Sequence, residues 1–175
     1  MQKTHLQCRE CKKEYDPTFK YICDECFGPL DVHYDFPSLT KNTFVNREQT
    51  YWRYFELLPI TDKSNIVSIN AGMTPLVKAE KLGKEIGLNN LYIKNDSVNP
   101  TFSFKDRPAG VAVSKAKEFG LASVGCASTG NLASATAAHA AKAGFPCYIF
   151  APSDIEHAKI TQALSYGSHY IAVDG

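Results

Sequence analysis

The feature that most restricts the fold of this chain is an alternation that begins near residue 91 of its 175. Apolar runs at 91–94, 123–127, 147–151 and 169–173 alternate with helical patterns. Those patterns stop at Gly120, Gly144 and Gly167, each at the position just past a helix end where glycine is favoured. Short links and near-continuous apolar strands predict an α/β fold, a parallel sheet covered on both faces by flanking helices.

In such sheets ligands bind beyond the carboxyl ends of the strands, and two loops there stand out. One is Asn99-Pro-Thr-Phe-Ser-Phe-Lys-Asp-Arg107. Ser103 and Asp106 have the S-x-x-D spacing of a capping box, which puts Lys105 in the first helical turn. The positive end of the helix dipole disfavours a cation there, and a neutral lysine amine is a nucleophile able to form a Schiff base. The other loop is Ser128-Thr-Gly-Asn131, between a strand and a helix. Its backbone N–H groups form a natural anion seat, and Asn131 offers a neutral donor and acceptor at the helix mouth. Ser153 and Glu156 have the spacing of a second capping box. His139, His157 and His169 lack metal-ligand spacing and read as packed or surface residues.

The first 36 residues form a different kind of unit. Cys8, Cys11, Cys23 and Cys26 make two C-x-x-C pairs, and two such knuckles complete a tetrahedral four-sulfur zinc site. So small a unit cannot bury a core of its own, and a structural metal stands in for one. Tyr15, Phe19 and Tyr21 give the spacer strand character. Cys126 and Cys147 lie in apolar runs and read as buried free thiols.

Between these parts, Asn46 is placed to cap a helix from 47 to 57 whose aromatics dock on the main body, with Pro59 as the stop. A turn at 71–75 introduces Leu76-Val77, and a short helix at 79–86 ends at Gly87. Nineteen basic against 18 acidic side chains give no charge-based case for nucleic acid or a membrane surface. The opening residues lack the apolar core of a secretory signal, no apolar run is long enough to span a membrane, and the cytoplasm is the expected address.

Taken together, Asn99 to Arg107 and Cys126-Ala-Ser-Thr-Gly-Asn-Leu132 resemble threonine synthase, a pyridoxal-phosphate enzyme of the tryptophan-synthase-β fold type. Cys26 to Val32, Tyr34-Asp35, Tyr51-Trp-Arg53, Gly72 to Leu76 and Ile93 to Asp96 are similar to the same family in the same order. The resemblance implies that Lys105 is the lysine joined to pyridoxal 5′-phosphate as a Schiff base. It implies that Asn131 hydrogen-bonds the cofactor's 3′-oxygen and that Ser128 and Thr129 receive the substrate carboxylate. The reaction implied is O-phospho-L-homoserine plus water to L-threonine and phosphate, carried out by a homodimer. The expected organisation is a zinc-ribbon-like unit at 1–36, the first segment of the large domain at 37–90, and a three-layer α/β region at 91–175.

Two departures from the family pattern stand beside the match. Phe102 occupies a position that is small or polar in the family, and Pro108-Ala-Gly110 follows Arg107. The glycine-rich loop for the cofactor phosphate has no counterpart after Asn131. The chain is therefore expected to be the N-terminal part of such an enzyme and, alone, to be inactive or to bind the cofactor poorly. Alternatives of other kinds stay open: a cysteate synthase, a threonine or serine dehydratase, or a non-catalytic binding module.

Overall fold

The computed structural model describes residues 3–36 and 38–174. Strands β1 (Lys3–Cys8), β2 (Glu14–Tyr15) and β3 (Leu30–Asp35) form a small antiparallel sheet in the order β2-β1-β3. Of the expected spacer strand only Glu14–Tyr15 forms. Phe19 instead leaves the sheet and meets Phe119 edge-on at 5.9 Å. A cleft lined by Leu6, Phe19, Val32, Pro59, Lys115 and Phe119 marks where this unit sits against the rest of the chain.

Helix α1 (Lys41–Val45) is short, and Asn46 closes it rather than opening the helix expected at 47–57. That stretch is a 3-10 helix, Tyr51–Leu57, interrupted at Tyr54. Tyr51 and Trp52 are adjacent and both buried, in a cluster with Ile60 and Ala71. Arg47 spans the same stretch with a bidentate pair to Glu56 at 2.6 and 2.7 Å.

Strands β4 (Leu76–Lys78) and β5 (Tyr92–Lys94) pair antiparallel in the register Val77↔Ile93, with α2 (Glu80–Glu85) between them. This corrects the placement of 91–94 in the parallel sheet. The run finds its partner in the earlier Leu76–Lys78, and the pair stands apart as a two-stranded ribbon.

Helix α3 (Asp106–Glu118) is followed by β6 (Val124–Ala127), α4 (Asn131–Ala143), β7 (Cys147–Pro152), α5 (His157–Ser165) and β8 (His169–Val173). The three strands are parallel in the order β6-β7-β8. Ala133, Ala137 and Ala140 of α4 and Ala163 of α5 pack on Cys147 and Ile149 of β7. Small side chains let these helices lie close to the strands. The other face carries Tyr148, Phe150, Ile171 and Val173, all partly exposed. Among the described residues, helices therefore cover this sheet on one side, where two were expected.

The segment before α3 is held along it by side-chain hydrogen bonds. The N–H groups of Thr61 and Asp62 donate to the Glu118 carboxylate at 2.8 and 3.1 Å, and Val67 N–H donates to Ser114 Oγ at 2.8 Å. The capping box expected at Ser153 and Glu156 does not form. Ser153 N–H donates to Val173 O at 3.1 Å and so belongs to the sheet's end, while Glu156 is itself the residue before α5.

Candidate functional site

The Asn99–Arg107 loop is built from the inside by polar groups. Asp106 is fully buried, and its carboxylate accepts from Thr101 N–H at 2.8 Å and Thr101 Oγ1 at 2.7 Å. With its oxygens occupied there, Asp106 does not close a capping box with Ser103. Ser103 Oγ accepts instead from the Lys105 N–H at 3.2 Å. Lys105 is the residue before the helix, two places earlier than the capping-box spacing predicts. Its ammonium lies 4.7 Å from the centre of the Phe104 ring, a cation–π contact. Phe102 is 73% exposed and holds a left-handed backbone, φ +60°.

A second network braces the loop from below. Arg107 pairs with both oxygens of Asp96, Nε to Oδ2 at 3.0 Å and Nη2 to Oδ1 at 2.9 Å. Thr74 Oγ1 donates to Asp96 Oδ1 at 2.5 Å. The guanidinium holds the Asp96 carboxyl down at about 2. Lys94 donates to the Thr74 carbonyl. Gly72 N–H donates to Asn99 Oδ1 at 2.9 Å. Gly72 has φ +86°, and a Cβ there would meet Tyr51 Cβ at 2.9 Å and Arg107 Nη1 at 3.0 Å, so only glycine fits. The sequence motifs at 72–76, 93–96 and 99–107 thus converge on one spot. Reasoning from sequence matched these motifs to a family but gave Thr74, Asp96 and Arg107 no role. The available signal was an acid and a base bracketing the lysine loop.

The second loop has a different character. Ser128 N–H donates to Phe150 O at 3.1 Å, and Ser128 Oγ accepts from Gly130 N–H at 3.3 Å. Gly130 precedes α4 without a side-chain cap, and a Cβ on Gly130 would meet nothing within 4 Å. Thr129 and Asn131 are exposed. The mouth of α4 is therefore open, with its first N–H groups available to an acceptor.

These loops are carried by helices that lie side by side. Pro108, Ala109 and Ala112 of α3 share a cleft of about 440 Å³ with Leu132 and Thr136 of α4. Deeper in, Gly110 is where the two helices and Tyr51 meet: a Cβ there would lie 2.2 Å from Tyr51 Oη and 2.9 Å from His139 Nε2. His139 is fully buried, with Nδ1 at 2.9 Å from Ala135 O, and burial pushes its pKa down. It is a packed histidine, as its place in the sequence suggests. His169 stacks on Tyr148 at 5.1 Å, and His157 opens α5 at the surface. Among the described residues no hydrogen bond joins Lys105 to Ser128, Thr129 or Asn131; what brings the two loops to one region is the α3–α4 packing.

The four N-terminal cysteines do come together. Their sulfurs all lie within 4.8 Å of one another, with Cys8–Cys26 at 3.4 Å and Cys11–Cys23 at 3.6 Å. A tetrahedron with metal–sulfur bonds of about 2.3 Å needs sulfurs about 3.8 Å apart, so the quartet has the right size. Cys8 and Cys23 are buried, Cys11 and Cys26 exposed. The hydrogen bond from Tyr15 draws the Cys23 thiol down to about 6. Of the remaining two, Cys147 is buried and its thiol pushed up to about 11, while Cys126 is only partly covered.

A parallel α/β region with a lysine at the mouth of one helix and an open N-terminus on its neighbour has groups that suit an anionic, carbonyl-bearing cofactor. The chain is a member of the pyridoxal-phosphate dependent enzyme family, whose profile matches residues 67–175. It is 42% identical over 175 residues to the threonine synthase of Methanocaldococcus jannaschii, covering 97% of this chain and 43% of that protein. It is 40% identical to the threonine synthase of Methanosarcina acetivorans, covering 98% of this chain and again 43% of the relative. The chain thus spans less than half the length of these relatives. Among solved structures it is similar to a pyridoxal 5′-phosphate-dependent aspartate racemase, with a TM-score of 0.54 and 27% identity over 58% of this chain and 32% of that one.

Proposed function

We propose that these residues belong to a threonine synthase, which converts O-phospho-L-homoserine and water to L-threonine and phosphate by β,γ-replacement. The observation that carries this reading is the identity of 40–42% to proteins named threonine synthase across 97–98% of the chain. Pyridoxal phosphate, when bound, supplies the electron sink for the reaction. The chain's own residues suit that group. Lys105 offers an amine at a helix mouth, and α4 offers uncapped N–H groups next to Gly130, where no side chain crowds the approach.

In this proposal Lys105 would hold the cofactor, and its amine would carry protons at the substrate's Cα and Cβ. Asn131 would hold the cofactor at its 3′-oxygen. The Ser128–Thr129 turn accepts the substrate carboxylate at the α4 N-terminus. Asp96, Thr74 and Arg107 keep the Lys105 loop in place from behind. Cys8, Cys11, Cys23 and Cys26 hold a structural zinc; a site closed by four sulfurs has no open position for catalysis. We also propose a division into units at 1–36, 37–90 and 91–175, a homodimer, and a cytoplasmic address.

The test is covalent trapping. The full-length protein is incubated with pyridoxal phosphate and reduced with borohydride, and the modified peptide is identified by mass spectrometry. The label is expected on Lys105 and is lost in Lys105→Ala. A label spread over surface lysines in both proteins would overturn the role given to Lys105. Product analysis of the full-length protein with O-phosphohomoserine and O-phosphoserine then separates a threonine synthase from a cysteate synthase or a dehydratase.

A further inference from the structure

Tyr15 stands beside the cysteine quartet in a way that C-x-x-C spacing does not require. It ends β2, opposite Leu6 of β1. Its Oη lies 3.0 Å from Cys23 Sγ and accepts the Asp24 N–H at 3.1 Å. Cys23 Sγ also accepts the Glu25 N–H at 3.4 Å. Two ammonium groups sit by the Tyr15 ring, Lys20 at 4.8 Å and Lys13 at 5.6 Å from its centre. Each is anchored on an acid of the second knuckle, Lys20 on Asp24 and Lys13 on Glu25, both at 2.5 Å.

Four thiolates on one divalent ion leave a net charge of −2 to be stabilised. Cys11 and Cys26 are exposed and have water for this, whereas the Cys23 side chain has none. A metal-bound cysteine carries no proton, so between Tyr15 and Cys23 the phenol is the donor. The amide donating into Oη polarises the O–H, and cations at the ring make the phenol a stronger donor still. We propose that Tyr15 is a positioning residue of the metal centre, resting on the four-cysteine zinc reading above. Its O–H fixes the buried Cys23 sulfur and withdraws charge from it, and Lys13 and Lys20 hold the ring for that purpose.

Hydrogen bonds of this kind behind a ligand are worth 10–100-fold in metal affinity. The experiment uses the whole chain loaded with zinc, or with cobalt as a spectroscopic probe, and compares wild type, Tyr15→Phe and Tyr21→Phe. Tyr21 lies in the same spacer but is 76% exposed. Phenylalanine keeps the ring packing and the cation–π contacts and removes only the hydroxyl. Tyr15→Phe is expected to lower metal affinity about 10–100-fold in chelator competition. It is also expected to move the sulfur-to-cobalt charge-transfer bands to lower energy, because a sulfur without its donor gives up charge more readily. Tyr21→Phe is expected to match wild type in both. Unchanged affinity and a superimposable cobalt spectrum in Tyr15→Phe would overturn the role of Tyr15 and leave the metal site standing. A wild-type protein that gives no tetrahedral thiolate–cobalt spectrum would overturn both.

Discussion

Asp96→Asn is the substitution that most directly probes the support beneath the Lys105 loop. It keeps the size of the side chain and removes the charge that Arg107 grips at 2.9 and 3.0 Å. One replaced oxygen becomes an NH2 group facing a guanidinium that can only donate. The Asp96 carboxyl titrates at about 2 against an ordinary value of 3.8. That lowering corresponds to about 2.5 kcal/mol when fully expressed. The Asp96 side chain is 21% exposed and that of Arg107 31%, so solvent screens part of this and about 1–2 kcal/mol is expected at pH 7.

The sign follows from the direction of the shift. The folded state lowers this pKa, so the stabilisation is complete above pH 3.8 and is lost as pH falls through about 2. Near pH 3 roughly half remains. Urea unfolding of wild type and Asp96→Asn at pH 7 and pH 3 measures both numbers. The variant is expected to be less stable at pH 7, with the gap about halved at pH 3. A deficit below about 0.5 kcal/mol at pH 7, or one that does not change with pH, would refute the assignment of the ion pair as the brace.

Three further outcomes follow from the geometry. Gly110→Ala places a methyl group 2.2 Å from Tyr51 Oη, and overpacking at this α3–α4 crossing is expected to cost about 2 kcal/mol or more in urea unfolding. Phe102→Gly relieves a left-handed φ of +60° in a side chain 73% exposed, and is expected to stabilise the chain by about 0.5–1 kcal/mol, read as a raised melting temperature. On the proposed zinc reading, adding a chelator is expected to release the β1–β3 sheet, with hydrogen exchange rising through residues 3–35 while α4 stays protected.

What the sequence made legible was local. Gly120, Gly144 and Gly167 all take positive φ at the helix ends where they were expected, because that preference depends on the glycine and its own helix. The β8 strand runs over His169–Val173 as its apolar pattern indicates. What could not be read was the choice of distant partner. The S-x-x-D spacing at Ser103 and Asp106 is a local rule, yet the Asp106 carboxylate is taken by Thr101. The apolar run at 91–94 predicts a strand, but which strand it joins depends on Leu76–Lys78. The Thr74–Asp96–Arg107 network assembles three residues from three segments. Asp96 and Arg107 bracket one loop, but Thr74 lies 22 residues before Asp96, outside any local window that holds the other two.

The same contrast holds within the lysine loop. Along Thr101–Phe104 the usual order is inverted: Thr101 and Ser103 are buried, while Phe102 and Phe104 are exposed. Burial of apolar area is nondirectional and fixes a chain only loosely in angle, whereas hydrogen bonds to a buried carboxylate fix both distance and direction. Thr101, held by two bonds to Asp106, sets the loop before the helix, and Ser103 sets the backbone N–H of Lys105 itself. The hydrophobic pattern that predicts strands and helices elsewhere carries no information here, because the loop is organised by its polar side chains. The two phenylalanines are thereby left on the outside, the Phe104 ring 4.7 Å from the Lys105 amine, and neither holds the loop together.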